Sequence, residues 1–281
     1  MAQAKWVSRR GNAVNEDHAW GSEGAGYVLD GASGLYKVKV TPDESDAAWF
    51  TKRAGAFLEQ ELSAGSDRPL ADVLRDCCAA CMDEYRGFLG DSVFDEAILP
   101  SASLALYRCR ESALEVFLLG DCHILVELHG GAVLHIQDES VPVLDNGVVA
   151  FMKKQSEAKG LPLPLVKPDA LGLLRENRRL KNTEGGYWTF DPKGVGVSRG
   201  SYLTLDIREV RSLALLSDGF DFALVFPGLY KGPRDLLRAM ETGSLEDVAA
   251  GVHHALEADE NYVRFPRLKL KDDASAVWWK G

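Results

Sequence analysis

Five separated stretches of this sequence set one or two carboxylates against an apolar run, usually beside glycine or another small residue. They are "NEDH" (Glu16, Asp17), "DGASG" (Asp30), "LLGD" (Asp121), "LLSDGF" (Asp218) and "LKDDAS" (Asp272, Asp273). One such acid could simply close a turn, where Asp and Gly are common. Five suggest a shared site. Two carboxylates about 4 Å apart would repel by about 4 kcal/mol at an effective dielectric near 20, so a positive charge has to sit among them. Oxygen ligands with no histidine or cysteine favour a hard divalent ion, Mg²⁺ or Mn²⁺, over zinc. Gly31 and Gly219 would let backbone approach closely. Two such ions roughly 3.5 to 4 Å apart could share a water, lower its pKa and aim it at phosphorus, which is metal-assisted phosphoester hydrolysis.

The elements that would carry these acids can be read from periodicity. Tyr27, Val28 and Leu29 end a buried strand just before Asp30. Two amphipathic helices are expected over 44–88, the first with Phe50, Ala54, Phe57, Leu58 and Leu62 on one face. The CxxC spacing within Cys77, Cys78 and Cys81 falls on the apolar stripe of the second, which assigns these thiols to the core. Residues 101–137 read as an antiparallel meander, and about 146–182 as helical with a break at "GLPLPLVKP". Strands return at "GYWTFD", "YLTLDI", "SLALLSDG" and "ASAVWW". Ser244 with Asp247 forms a capping-box pattern ahead of the stripe Leu245, Val248, Ala249, Val252, Leu256, which leaves His253 and His254 on the solvent side. Clustered strands and separately clustered helices give an α+β class, antiparallel sheets with helices outside, in one domain over residues 1–281.

Bulk properties exclude several partners. The 281 residues carry a formal net charge of −10, against nucleic-acid or anionic-membrane binding. No apolar run reaches the roughly 20 residues of a membrane span. The N-terminus has no apolar secretion core, and five unevenly spread cysteines make no disulfide framework. A soluble, cytoplasmic monomer is expected.

The ordered set "NEDH", "DGASG", "GDCH", "SDGF" and "KDDAS" resembles the motif series of the metal-dependent protein phosphatase 2C family, in its compact bacterial form, over residues 15–279. The resemblance implies an αββα sandwich, two antiparallel sheets between helical layers, with the metals at one edge. It implies hydrolysis of phosphoserine or phosphothreonine in a phosphorylated protein substrate, with two Mn²⁺ or Mg²⁺ ions and room for a third. Carried over by motif, Asp30 bridges the two metals and the Gly31 carbonyl helps hold one. Asp218 and Asp272 complete the other shell, Glu16 acts on the Gly31 side, and Asp121 serves the third ion. Asp30 and Asp218 are the catalytic pair.

Some positions depart from that pattern. Asn12 stands where many members carry a phosphate-binding arginine, so Arg10 is the expected substitute. Ala32 replaces a histidine found in some relatives, and "GDCH" replaces Gly-Asp-Ser-Arg. Cys122 is expected as a small buried thiol, His123 as a strand residue, and Arg175, Arg178, Arg179 and Lys181 as a solvated helix face. These departures keep two other readings open: a catalytically silent phosphatase-like binding module, and a two-metal hydrolase of small phosphorylated metabolites.

Overall fold

Alternation along the strands decides the layers, because successive side chains of a strand point to opposite faces. In β3 (Ala25–Ala32), Tyr27 and Leu29 face helices while Val28 faces a second sheet. β4 (Ser101–Arg110) repeats the split with Leu104 and Leu106 against Ala105 and Tyr107, as does β5 (Ala113–Leu119) with Phe117 and Leu119 against Val116 and Leu118. With β2 (His18–Gly21) and β8 (Ser201–Asp206) they form an antiparallel sheet in the order β2-β3-β4-β5-β8. The computed structural model describes residues 2–32, 35–36, 38–90, 96–225 and 229–281, so Ser33 and Gly34 of "DGASG" lie outside the described residues.

The second sheet is also antiparallel. Its order is β1 (Gln3–Arg9), β10 (Ala274–Lys280), β9 (Val210–Leu216), β6 (His123–Leu128) and β7 (Val133–Ile136). Ile124, Val126, Leu213, Leu215, Val277 and Trp279 point at the first sheet and close the central core. Leu125, Ala214, Leu216, Ala276 and Trp278 point outward under α6 (Pro233–Thr242) and α7 (Leu245–Glu257). On the other side α1 (Asp46–Ser63) and α2 (Leu70–Leu89) cover the first sheet, and Cys77, Cys78 and Cys81 are buried there. The result is the expected αββα sandwich.

Three further elements border the sheet ends. α3 (Ser140–Lys159), a 3₁₀ segment (Leu163–Ala170) and α4 (Leu171–Arg179) share a small core in which Val148, Met152, Leu163 and Val166 pack with Tyr262. The short α5 (Asp221–Val225) follows Asp218 by one 3₁₀ turn.

Several expectations change. Residues 101–137 are not one meander: β4 pairs with β5 in the first sheet, β6 with β7 in the second, and the chain crosses between them at 120–122. Alternation is the same on both sides of the crossing, so periodicity alone does not reveal it. "GYWTFD" contributes only isolated bridges, Phe190 to Ala102 and Tyr187 to Lys181. Ser244 precedes α7, but its side chain makes no capping hydrogen bond. His253 is buried rather than solvated: its Nε2 lies 2.8 Å from the Asp272 carbonyl and Arg9 Nε donates to its Nδ1 at 3.3 Å. His254 is exposed as expected.

Candidate metal centre

Each acid reaches the site because a strand ends there. Asp30 and Gly31 close β3, opposite Ser103 and Ala102 of β4. A Cβ on Gly31 would fall 2.3 Å from the Glu16 carbonyl oxygen, so the approach of these two segments requires glycine. The crossover between sheets turns at Gly120, whose φ of +84° suits glycine. That turn sets the Asp121 amide 3.1 Å from Ser103 Oγ, and the same hydroxyl donates to Asp121 Oδ1. Asp218 lies just past β9, and its amide donates to Asp30 Oδ2 at 3.1 Å.

Asp272 and Asp273 precede β10 and do different work. Asp273 is buried and accepts from the amides of Gly11 (2.7 Å), Asn12 (3.1 Å) and Glu16 (2.9 Å). It therefore clamps the 11–16 loop, which delivers Asp17. Asp272 turns to the cluster: Oδ1 accepts from Asn12 Nδ2 at 2.5 Å and from the Asp273 amide at 2.9 Å, and Oδ2 accepts from the Lys269 ammonium.

Burial and crowding raise the proton affinity of these carboxylates. Burial lifts Asp17, with Asp272, Asp273 and Asp218 adding to it; burial also lifts Asp30, with Asp17, Asp121 and Asp272 behind it. Asp218 rises through burial and then through Asp30, Asp272 and Asp121. Asp121 rises through burial while its Ser103 bond pulls the other way. For Lys269, burial pulls downward but is outweighed by Asp272, Asp218 and Asp30. The region is one of concentrated negative charge.

This donor set suits hard cations. Asp17 Oδ2 and Asp218 Oδ1 are buried with no hydrogen-bond partner among the described residues. A buried polar atom left unpaired costs about 1 to 3 kcal/mol, more if charged, and a divalent ion removes that cost. Among the described residues no three His, Cys, Asp or Glu side chains already form a closed coordination set.

The acids line two adjoining clefts. One, of about 300 Å³, is walled by Asp30, Gly31, Asp121, Asp145, Asp218 and Lys269. The other, of about 440 Å³, continues past Asp121, Asp218 and Lys269 to Asp272 and His123. Of the residues expected from sequence, Asp30, Gly31, Asp121, Asp218 and Asp272 line these clefts. The Glu16 backbone packs against Gly31, but its carboxylate, expected as a metal ligand on that side, lines neither cleft and accepts from Ser45 Oγ at the start of α1. Arg10 lines neither cleft: its guanidinium folds back onto the carbonyls of Asn12 and Ala13.

Sequence reasoning counted Asp17 among the acids but gave the ligand role to Glu16, and it missed two further contributors, Asp145 and Lys269. Asp17 faces the acid cluster while its neighbour Glu16 faces α1; adjacent residues entering a strand point opposite ways, which was the available clue. Asp145 of α3 overhangs both clefts, and burial, helped by Asp121, pushes it up to about 6. The remaining assignments divide. Cys122 is fully buried, and burial pushes its thiol far up, so it is inert packing as expected. His123 is more than a strand residue: Nε2 sits 2.6 Å from Asp221 Oδ1 and Nδ1 3.1 Å from His135 Nε2. The basic cluster is not simply solvated, since Lys181 is buried with Nζ 2.6 Å from the Leu99 carbonyl and Arg178 lines the first cleft.

Two five-stranded antiparallel sheets between helical layers, with acids at one edge, define the fold of protein phosphatase 2C-type serine/threonine phosphatases. Solved structures of such enzymes share it over nearly the whole chain. The catalytic domain of the serine/threonine phosphatase PstP, determined with two manganese ions, superposes with a TM-score of 0.55 at 16% identity, covering 99% of this chain and 97% of that one. PppA of Pseudomonas aeruginosa, described as a regulatory component of its type VI secretion system, gives 0.54 at 18% identity with 99% and 97% covered. A serine/threonine phosphatase from Staphylococcus aureus gives 0.55 at 14% identity with 100% and 95% covered. No family profile and no curated protein matches the sequence.

Proposed function

We propose that this chain is a metal-dependent protein phosphatase that hydrolyses phosphoserine and phosphothreonine, with two Mn²⁺ or Mg²⁺ ions as cofactors. One observation carries the reading: Asp17 and Asp218 each turn an unpartnered buried oxygen into a cluster with Asp30 at the edge of an αββα sandwich. Asp30 feels the charges of Asp17, Asp121 and Asp272 and accepts from the Asp218 amide, which suits a shared ligand; the Gly31 carbonyl, Asp17, Asp218 and Asp272 would fill out the donor set, with Asp121 for a third ion. Bound there, hard cations supply Lewis-acid charge and an activated water for attack on phosphorus.

The chain's own groups set up the rest. Ser103 fixes the Asp121 carboxylate, and the Asp218 amide fixes that of Asp30, so neither acid swings freely. Asp273 holds the loop that presents Asp17. Asp145 retains a proton to higher pH than an ordinary carboxylate and overhangs the cleft where a leaving alkoxide would need one. Five free cysteines, four of them buried, support work in a reducing compartment such as the cytoplasm. No helix among the described residues is long and apolar enough to cross a membrane.

The test is phosphate release from a phosphothreonine peptide by metal-depleted protein before and after adding Mn²⁺. Release that requires Mn²⁺, stops with chelator and is lost in Asp30→Asn is expected. Folded, Mn²⁺-loaded protein that binds the peptide and leaves its phosphate intact would make the chain a binding module instead.

A further inference from the structure

Asp272 differs from Asp17 and Asp218 in that both its oxygens carry hydrogen bonds. Its Oδ1 is taken by Asn12 and the Asp273 amide, and its Oδ2 by Lys269. Asp17 and Asp218, by contrast, each keep one oxygen unpartnered. A divalent cation that recruits Asp272 through Oδ2 therefore competes with the ammonium for that oxygen, and the two cations repel. Lys269 has room to move: neighbouring groups crowd its ammonium, but 48% of its side chain is solvent-accessible and its long stem lies outside any helix or strand. It also lines both clefts, so the displaced charge remains beside the acids.

The site needs that charge. A phosphoryl group brings negative charge to a wall of carboxylates; Arg10 is bound to its own turn, and Lys167 and Arg178 line the first cleft only, whereas Lys269 lines both. A lysine ammonium binds phosphate as a compact point charge with three donors. Resting on the phosphatase reading above, we infer that Lys269 is an exchangeable phosphate ligand: it pairs with Asp272 until a divalent cation takes that carboxylate, and its ammonium then holds the substrate's phosphoryl group.

Two variants of the full chain test this, Lys269→Met, which keeps the stem and removes the charge, and Lys269→Arg, which keeps the charge. Mn²⁺ titration of metal-depleted protein by calorimetry is expected to show about tenfold tighter binding in the Met variant, because the competing cation is gone. Inorganic phosphate, titrated by calorimetry into the Mn²⁺-saturated protein, is expected to bind about tenfold more weakly in the Met variant and near normally in the Arg variant. A Met variant with a native circular dichroism spectrum that binds Mn²⁺ no tighter, or phosphate no more weakly, overturns the inference. Failure of the phosphatase reading has another signature. Wild-type protein would then bind Mn²⁺ and phosphate yet release nothing from a phosphopeptide, while the two shifts at residue 269 would still support this role for the lysine.

Discussion

At Asp218 the amide and the carboxylate serve different ends: the amide steadies Asp30, and Oδ1 is buried with no partner. Asp218→Asn keeps the shape and removes the charge. Activity is expected to fall at least about a hundredfold, while the melting temperature of metal-depleted protein rises because one repelling charge has gone from the cluster. A variant that loses activity and also melts lower would show that the residue mainly holds the fold. Asp145 allows a pH test. Its folded value is raised to about 6, against about 4 when unfolded, so between those limits the native state binds more protons and stability falls as pH rises. Chemical denaturation of metal-depleted Asp145→Asn should therefore show a stability advantage over wild type that grows by about 2 kcal/mol from pH 4 to 6 and then levels off. A difference that stays flat across that range contradicts the assignment. The acids themselves were legible from sequence because each borders an apolar strand, Asp30, Asp121 and Asp218 at its end and Asp17, Asp272 and Asp273 at its start. The choice between Glu16 and Asp17 was not, since it depends on the phase with which the 11–16 loop enters β2, and a contact 257 residues away in sequence sets that phase.

That contact belongs to the loop between Arg9 and His18 as an element. Three amides of this loop converge on the Asp273 carboxylate. Asp273→Ala would leave buried donors unpaired, and a loss of about 3 kcal/mol in urea unfolding is expected, together with weaker Mn²⁺ binding because Asp17 loses its support. Unchanged Mn²⁺ affinity in that variant would remove Asp17 from the metal centre. Helix stripes and most strands could be read from periodicity, since burial of one face is a local property. The crossing at Gly120 and the pairing of β1 with β10 are set by partners far along the chain, and local patterning carries no record of them.

Across the whole molecule, the site depends on two sheets keeping their edges aligned, because β3 and the β4–β5 hairpin carry acids or their supports from one sheet while β9 and β10 carry acids from the other. Trp279 joins them: its ring packs 5.9 Å from that of Tyr107, and its Nε1 donates to the Glu23 carbonyl at 2.8 Å. Trp279→Ala is expected to cost about 3 to 5 kcal/mol and to weaken Mn²⁺ binding from a distance. A destabilised variant with full Mn²⁺ affinity would show that the site does not need the inter-sheet alignment. The central claim is met most directly by anomalous diffraction from crystals soaked in Mn²⁺. Two anomalous peaks, both bonded to Asp30 and flanked by Asp17, Asp218 and Asp272, are the predicted result; density with no peak among these carboxylates would contradict it.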